Sequence, residues 1–355
     1  MSITDVRRLD PSSNSNEIYG GGHAGDVHNT QLTIYSSVQK KFNTIYGGGY
    51  AGDITGKATT NVEGSNVSGN TADVVYGGNN YGGWVNNTEL NIYNGTYDWI
   101  YGAGNGEYQY KTLLNGGDDF KVWEHPCVVP YSNNIVLNLY NPTVNNNVYG
   151  GGNLGVVGKD YTSENNPSAA DDEVTNTPVT YRGQNLSTEY GSIVTNIYGG
   201  TYMSHVFAGA RGRDMSDAEY GVIDFYGRHQ LAFAYKQVNM YDGYVRQSLY
   251  GGSEFIDDGY PFECVSTNTT TKRPTTVVNM MGGTVNKNLY GGGYLGNIHG
   301  SVFVNIGEKA VDTSYVWNKT YGNSGLTSYA SFKPELHSAN LYVNASVYNG
   351  SDWGE

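Results

Sequence analysis

The stretch IYGGGHAGDV, residues 18–27, decides the fold because its pattern returns along the chain. Gly20, Gly22 and Gly25 have the G-x-G-x-x-G spacing of dinucleotide-binding loops. Such a loop holds the pyrophosphate at the N-terminus of a helix, and no helical period of apolar residues follows here. The pattern instead predicts a tight corner, where glycine provides positive φ and lets backbones approach closely.

An aromatic residue before a glycine-rich stretch occurs in eight copies. The aromatic residues of copies one to eight are Tyr19, Tyr46, Tyr76, Tyr101, Tyr149, Phe207, Tyr250 and Tyr290. The first four are 27, 30 and 25 residues apart. This spacing suits one three-strand coil of a solenoid, whereas a propeller blade needs about 40 residues and four strands.

A second pattern of alternating residues precedes most copies. In TELNIY, Leu90 and Ile92 fall on one face, and Asn91 and Tyr93 on the other, as in a strand with one buried side. A turn such as NGT, GGT or DGY and a short strand follow. The tyrosines that end these stretches are Tyr35, Tyr93, Tyr140, Tyr198 and Tyr241.

These patterns predict an all-β chain: a single-stranded parallel β-helix (β-solenoid) of about eight coils, with three short strands per coil. Fifty glycines and 33 tyrosines agree with turns and aromatic-rich strands. The later copies are further apart, which predicts loop insertions from one corner. The predicted regions are an N-terminal extension at 1–16, the β-helix at 17–307 with insertions at 104–133, 156–191, 211–236 and 254–274, and a last insertion with the terminal coil at 308–355.

Composition excludes several classes of function. A net charge of −13 argues against nucleic acid as a partner, because phosphates are bound by clustered Lys and Arg. The sequence contains no stretch of about 18 apolar residues, so we expect no membrane insertion. The N-terminal residues lack the apolar segment of a signal peptide. Cys127 and Cys264 are too few for a disulfide framework or a zinc site. We expect neither a cofactor nor a metal.

The aromatic residues of the copies predict a ladder. If the preceding Ile, Val and Leu point inward, these rings point outward and stack one coil apart. Stacked pairs contribute on the order of 1 kcal/mol each, which favours a structural role. The alternative is an exposed platform for sugar rings.

The insertions supply the candidate site residues. Aromatic, basic and carboxylate groups on one lateral face suit a polysaccharide-binding groove, and ordinary solvated loops contain them too. The candidate ligand-binding residues are Tyr108, Tyr110, Trp123, Tyr226, Arg228, His229 and Tyr260. Glycoside hydrolysis would need two carboxylates about 5 to 10 Å apart, such as Asp224 with Glu254 or Asp257. A lyase would instead use a base such as Arg228, His229 or Tyr226 beside a group that neutralises the uronate. No recurrent motif singles out a catalytic residue.

Two stretches carry a resemblance to known proteins. VTNIYGGTYMSHVFAGARG at 194–212 and VVNMMGGTVNKNLYGGGYLGNIHGSVFVNIG at 277–307 resemble the Gly-rich repeats of large surface or secreted proteins of gut Bacteroidetes. A second resemblance is to bacteriophage tail-spike and fibre β-helices. Both imply an extracellular, cell-surface or virion-surface protein. Neither carries an active site that could be transferred to this chain.

The sequence thus favours a non-catalytic attachment protein that binds a carbohydrate or a cell-surface protein through stacked corner loops. The alternatives are a polysaccharide-degrading enzyme in the same groove and a structural spacer. Terminal coils of a solenoid expose unpaired backbone, so homo-oligomers or end-to-end association are also expected.

Overall fold

The computed structural model describes most of the repeating part of the chain. The described residues are 2–3, 16–38, 41–64, 69–106, 110–115, 118–123, 130–154, 156–158, 180–181, 184–185, 191–212, 232–256, 274–296, 298, 301–307, 335–336, 340–342, 347–348 and 353–354. Cys127 and Cys264 lie outside these ranges. Within them, no helix has the length and apolar character needed to cross a membrane.

All described elements are β-strands. They are β1 (Ser2–Ile3), β2 (Glu17–Tyr19), β3 (Thr30–Ile34), β4 (Phe42–Tyr46), β5 (Ile54–Val62), β6 (Ala72–Tyr76), β7 (Trp84–Tyr101), β8 (Tyr110–Asn115), β9 (Asp118–Trp123), β10 (Tyr131–Val144), β11 (Val148–Tyr149), β12 (Val156–Gly158), β13 (Thr180–Tyr181), β14 (Gln184–Asn185), β15 (Gly191–Ile197), β16 (Thr201–Tyr202), β17 (Val206–Phe207), β18 (Ala232–Met240), β19 (Tyr244–Val245), β20 (Leu249–Tyr250), β21 (Pro274–Met280), β22 (Thr284–Val285), β23 (Asn288–Tyr290), β24 (Ser301–Ile306), β25 (Glu335–Leu336), β26 (Asn340–Tyr342), β27 (Val347–Tyr348) and β28 (Trp353–Gly354).

The strands of the main sheet pair only in parallel, and the sheet is strongly curled. Each strand pairs with the equivalent strand of the next sequence copy: β15 with β18, β16 with β19 and β17 with β20. Such pairing gives each inner strand a neighbour on both sides, as in a β-solenoid-like fold. Antiparallel pairs occur in the hairpins β8–β9, β13–β14 and β27–β28. The predicted all-β, parallel architecture is confirmed.

The core consists of the inward-facing aliphatic side chains. Ile45, Val75, Ile100 and Val148 follow one another in register and are fully buried. The residues before the aromatic positions therefore point inward, as predicted. Leu90 and Ile92 are likewise buried on the predicted inner face of β7.

The turn after the first strand contains a glycine with positive φ in several copies. The values are 108° at Gly95, 97° at Gly200, 109° at Gly243 and 76° at Gly283. In copy four this turn does not interrupt the strand, so β7 runs through 18 residues where three short strands were predicted. In copy six the same positions form the separate strands β15, β16 and β17.

The glycine corner shows two different reasons for requiring glycine. The glycines close to the aromatic residue, such as Gly47 and Gly78, do not have positive φ, whereas Gly106 and Gly212 at the end of the corner do, at 81° and 70°. A Cβ on Gly47 would lie 2.6 Å from the carbonyl oxygen of Gly77, and one on Gly78 would lie 2.9 Å from the amide nitrogen of Gly104. The first part of the corner therefore requires glycine because adjacent backbones touch there, as predicted, and the predicted positive φ occurs at the end of the corner.

Candidate functional site

The eight aromatic residues of the copies stack into one column, which we call the corner ladder. Its ring centroids are separated by 4.7, 5.2, 4.8, 5.0, 5.2, 4.7 and 4.6 Å from Tyr19 to Tyr290. Its planes deviate by 4° to 13°. The predicted ladder is confirmed.

Six of the eight rings of the corner ladder are buried, and the outermost two, Tyr19 and Tyr290, are partly buried, which argues against the sugar-platform alternative for this ladder. Tyr46 is 4 % exposed, Tyr101 2 % and Tyr149 fully buried. These rings point away from the aliphatic core, as predicted, yet their faces are covered by one another. No ring face within the ladder is free for a sugar.

Hydroxyl groups of the corner ladder have partners in the copy two further along the chain. In each case the partner lies four residues after the aromatic residue of that later copy. Asn80 donates to the Tyr19 hydroxyl at 2.9 Å. Tyr149 donates to Glu254 in the equivalent way, and Asn105, Asn153 and Arg211 act from the same position to lower the pKa of Tyr46, Tyr76 and Tyr101 against the effect of burial. We call Asn80, Asn105, Asn153, Arg211 and Glu254 the brace column. Each pair ties together copies that are not adjacent in the sheet.

The brace column is also continuous along its own length. Asn105 donates to Asn80 at 2.9 Å, Asn153 to Asn105 at 3.0 Å, and Arg211 Nη1 to Asn153 at 3.2 Å. Nε of Arg211 lies 3.9 Å from a carboxylate oxygen of Glu254. Amides donate and accept at once, so they can repeat along the column. The charged pair of Arg211 and Glu254 ends the part of the brace column that the structure describes.

Arg211, Glu254 and Trp99 form the part of this region that reaches the surface. The guanidinium carbon of Arg211 lies 5.3 Å from the ring centre of Trp99, a cation–π arrangement. The side chain of Arg211 is 38 % exposed and that of Glu254 13 %. Trp99 stacks against Tyr149 at 6.4 Å. A partly exposed tryptophan with an arginine and a carboxylate can contact a polar ligand.

Burial raises the pKa of the phenols beside this cluster. Desolvation raises the pKa of Tyr101 to about 12, against an opposing effect of the Arg211 guanidinium. Desolvation, followed by the charge of Glu254, raises the pKa of Tyr149 well above its usual range. The phenols therefore remain neutral donors at physiological pH.

Glu254 is one of the three carboxylates proposed from sequence for catalysis. It accepts from the Tyr149 hydroxyl and lies beside Arg211, which gives it a structural role. Its suggested partners Asp224 and Asp257 lie outside the described residues, as do Tyr108, Tyr226, Arg228, His229 and Tyr260.

The remaining candidates, Tyr110 and Trp123, lie opposite each other at the open end of the β8–β9 hairpin. This hairpin falls within the insertion predicted at 104–133. An antiparallel pair with its turn at the far end presents two aromatic positions side by side at its base. The structure thus brings these two predicted residues together.

A second stack, the strand ladder, consists of Tyr93, Tyr140, Tyr198 and Tyr241. Its centroid distances are 4.8, 5.0 and 5.0 Å. Tyr93 and Tyr140 are each 37 % exposed. The prediction that Tyr35 belongs to this column was wrong. Ile34 pairs with Val62 and Val62 with Ile92, so the residue after Val62, a glutamate, separates Tyr35 from Tyr93.

An asparagine ladder beside the strand ladder was missed by the sequence reasoning. Each asparagine donates through Nδ2 to Oδ1 of the one before, at 2.8 to 2.9 Å. The members are Asn61, Asn91, Asn138, Asn196, Asn239, Asn279 and Asn305. The signal was present in LNIY, LNLY, TNIY and VNMY, where an asparagine always precedes the last apolar residue of the strand.

Among the described residues, no three His, Cys, Asp or Glu side chains are grouped closely enough to hold a metal ion. No known family model, curated protein or solved structure matches this chain. Its function is therefore inferred from the geometry of its own residues.

Proposed function

We propose that the chain is a single-stranded parallel β-solenoid of about eight coils, with three short strands per coil, and that it is a non-catalytic attachment protein. Its partner is a carbohydrate or a cell-surface protein, and its place is outside the cell or on a virion surface. The ladders form a stiff scaffold, and the insertions form the binding face.

The proposal rests on the alignment of the positions where the insertions leave the sheet, which we call the insertion roots. Gly106 donates through its backbone to Asn80 at 2.7 Å, Gly212 to Asn153 at 2.8 Å, and Phe255 to Arg211 at 3.0 Å. All three donors lie at the end of the glycine corner, directly before the chain enters a long insertion. Insertions that leave a repeat protein from one face commonly form its binding surface.

The partial exposure of Arg211 and Trp99 at these roots supports a contact surface. The engagement of Glu254 by Tyr149 and Arg211 favours binding over glycoside hydrolysis, because a general acid must be free to exchange its proton with the substrate. The polysaccharide-degrading enzyme therefore stays the second candidate, and the structural spacer the third.

A glycan array combined with an assay for new reducing or unsaturated ends tests the proposal. The test variant replaces residues 213–231 with a short Gly-Ser linker, and the control replaces 65–68, between β5 and β6, in the same way. We expect the intact chain and the control to bind without forming product, and the test variant to bind at least about tenfold more weakly.

New chain ends from a bound glycan would instead identify an enzyme. Absence of any glycan or cell-surface protein ligand would favour the spacer. Unchanged binding by the 213–231 variant would remove the insertions from the site. Circular dichroism of each variant checks that the parallel sheet is retained.

A further inference from the structure

The two tyrosine ladders use their hydroxyl groups differently. In the corner ladder, hydroxyls such as those of Tyr19 and Tyr149 bond to protein side chains. In the strand ladder, the hydroxyls of Tyr93, Tyr140 and Tyr198 form no hydrogen bond with the described part of the chain. Tyr93 and Tyr140 are each 37 % exposed and Tyr198 is half-buried, so a ligand can reach the row most directly at the first two.

Stacking also determines how a ligand could meet the strand ladder. Ring centroids 4.8 and 5.0 Å apart leave no room between Tyr93, Tyr140 and Tyr198, so their faces are occupied. The ladder therefore presents ring edges and hydroxyl tips. A sugar ring cannot lie flat on it, but hydroxyl groups along a polymer can bond to the row of tips.

The neighbouring side chains extend this row with uncharged amides. Asn94 and Asn141 are exposed beside Tyr93 and Tyr140, and they hydrogen bond to each other at 3.0 Å. Each amide and each phenol can both donate and accept, as sugar hydroxyls do. Acidic residues flank the row: Glu63 lies below Tyr93, Asp242 comes after Tyr241, and the charge of Glu89 helps to raise the pKa of Tyr140.

We propose that the row formed by Tyr93, Tyr140, Tyr198, Asn94 and Asn141 binds an uncharged polysaccharide chain that lies along the ladder. The proposal rests on the attachment function above but uses a face other than the insertions. Each ring is fixed by its stacked neighbours before binding, so little side-chain entropy is lost on contact. The row itself is uncharged and the residues that flank it, Glu63, Glu89 and Asp242, are acidic, which favours a neutral polymer over a uronate or sulfated one.

The test uses the full chain and the triple variant Tyr93→Phe, Tyr140→Phe, Tyr198→Phe, which keeps the stack and removes three hydroxyls. Tyr244→Phe is the matched control, because Tyr244 is also 37 % exposed but stands outside the stack. The probes are dextran, mannan and hydroxyethylcellulose, with alginate as the charged comparison, in affinity electrophoresis.

We expect at least one neutral probe to retard the intact chain and the control, and the triple variant to bind it about tenfold or more weakly. Retardation by alginate alone, equal retardation of the triple variant, or no retardation by any probe would overturn the proposal. A self-association in sedimentation that the triple variant loses would assign the row to a second copy instead. Comparing the 213–231 variant with the triple variant separates the two proposals, because a ligand lost only by the first binds the insertions and a ligand lost only by the second binds the strand ladder.

Discussion

The corner ladder and the strand ladder are built from the same residue at nearly the same spacing, 4.6 to 5.2 Å against 4.8 to 5.0 Å. Tyr149 in the first is fully buried, and Tyr140 in the second is 37 % exposed. The difference lies in the neighbours. The brace column covers the tips of the corner ladder, and no equivalent column covers the described tips of Tyr93 and Tyr140. Stacking alone therefore indicates neither burial nor function.

The one ring of the corner ladder without a hydroxyl, Phe207, is also explained by its neighbours. Phe207 occupies copy six of the corner ladder, and the residue two copies on at the brace position is Tyr294. Tyr294 is 53 % exposed and meets Tyr250 edge to face at 5.9 Å. The brace position thus offers residue 207 neither the amide nor the carboxylate that bonds to Tyr19 and Tyr149, and phenylalanine needs no such partner.

The largest difference between the ladders is expected on truncation. Tyr149→Ala leaves a cavity between two stacked rings in the buried column, and should lower the free energy of unfolding by about 4 kcal/mol. Tyr140→Ala loses two stacking contacts at the surface and should cost about 1 to 2 kcal/mol. Guanidinium unfolding of both variants measures the difference. Equal losses would show that the two columns contribute alike to stability.

A smaller difference is expected when only the hydroxyl is removed. Tyr149→Phe deprives Glu254 of a donor and should cost about 1 to 3 kcal/mol. Tyr140→Phe should change the free energy of unfolding by less than about 0.5 kcal/mol. The same denaturation experiment compares them. A loss in Tyr140→Phe as large as in Tyr149→Phe would contradict the assignment of free tips to the strand ladder.

The smallest effect appears at alkaline pH. Burial raises the pKa of Tyr101 from 10.0 to about 12, so the folded state favours the neutral phenol. This contribution is complete below about pH 10, where the unfolded phenol is also neutral, and it is lost as the pH rises toward 12. Tyr101→Phe should make the fall of stability over this interval shallower.

The control for the pH experiment is Tyr140→Phe. Burial also raises the pKa of Tyr140, but this ring is partly exposed, so its variant should retain most of the slope. Unfolding free energies measured at intervals across the alkaline range give the two slopes. Identical slopes for Tyr101→Phe and the unmodified chain would disprove the linkage.

Much of the scaffold could be predicted because it depends on local patterns. The alternation in TELNIY places Leu90 and Ile92 inside, and the structure confirms this. The recurrence of the aromatic residues predicts the corner ladder. Tyr35 was misplaced because ladder membership depends on register. The register aligns it with a glutamate, and the alternation of a single strand does not contain that information.

The candidate site was less predictable because it joins residues far apart in sequence. The bond between Tyr149 and Glu254 spans 105 residues. A carboxylate in a loop has the composition of a catalytic group, and only its neighbours reveal that it braces a phenol. The asparagine ladder could have been found by aligning the strands on their last apolar residue.

The sequence by itself determined the all-β, parallel character of this protein and the inward face of its strands, because both follow from the period of apolar residues and the recurrence of the copies. Only the tertiary structure decided which tyrosines are buried and which hydroxyls are free. Burial and hydrogen bonding depend on side chains two copies away, and the lengths of the intervening segments do not specify which residues meet there.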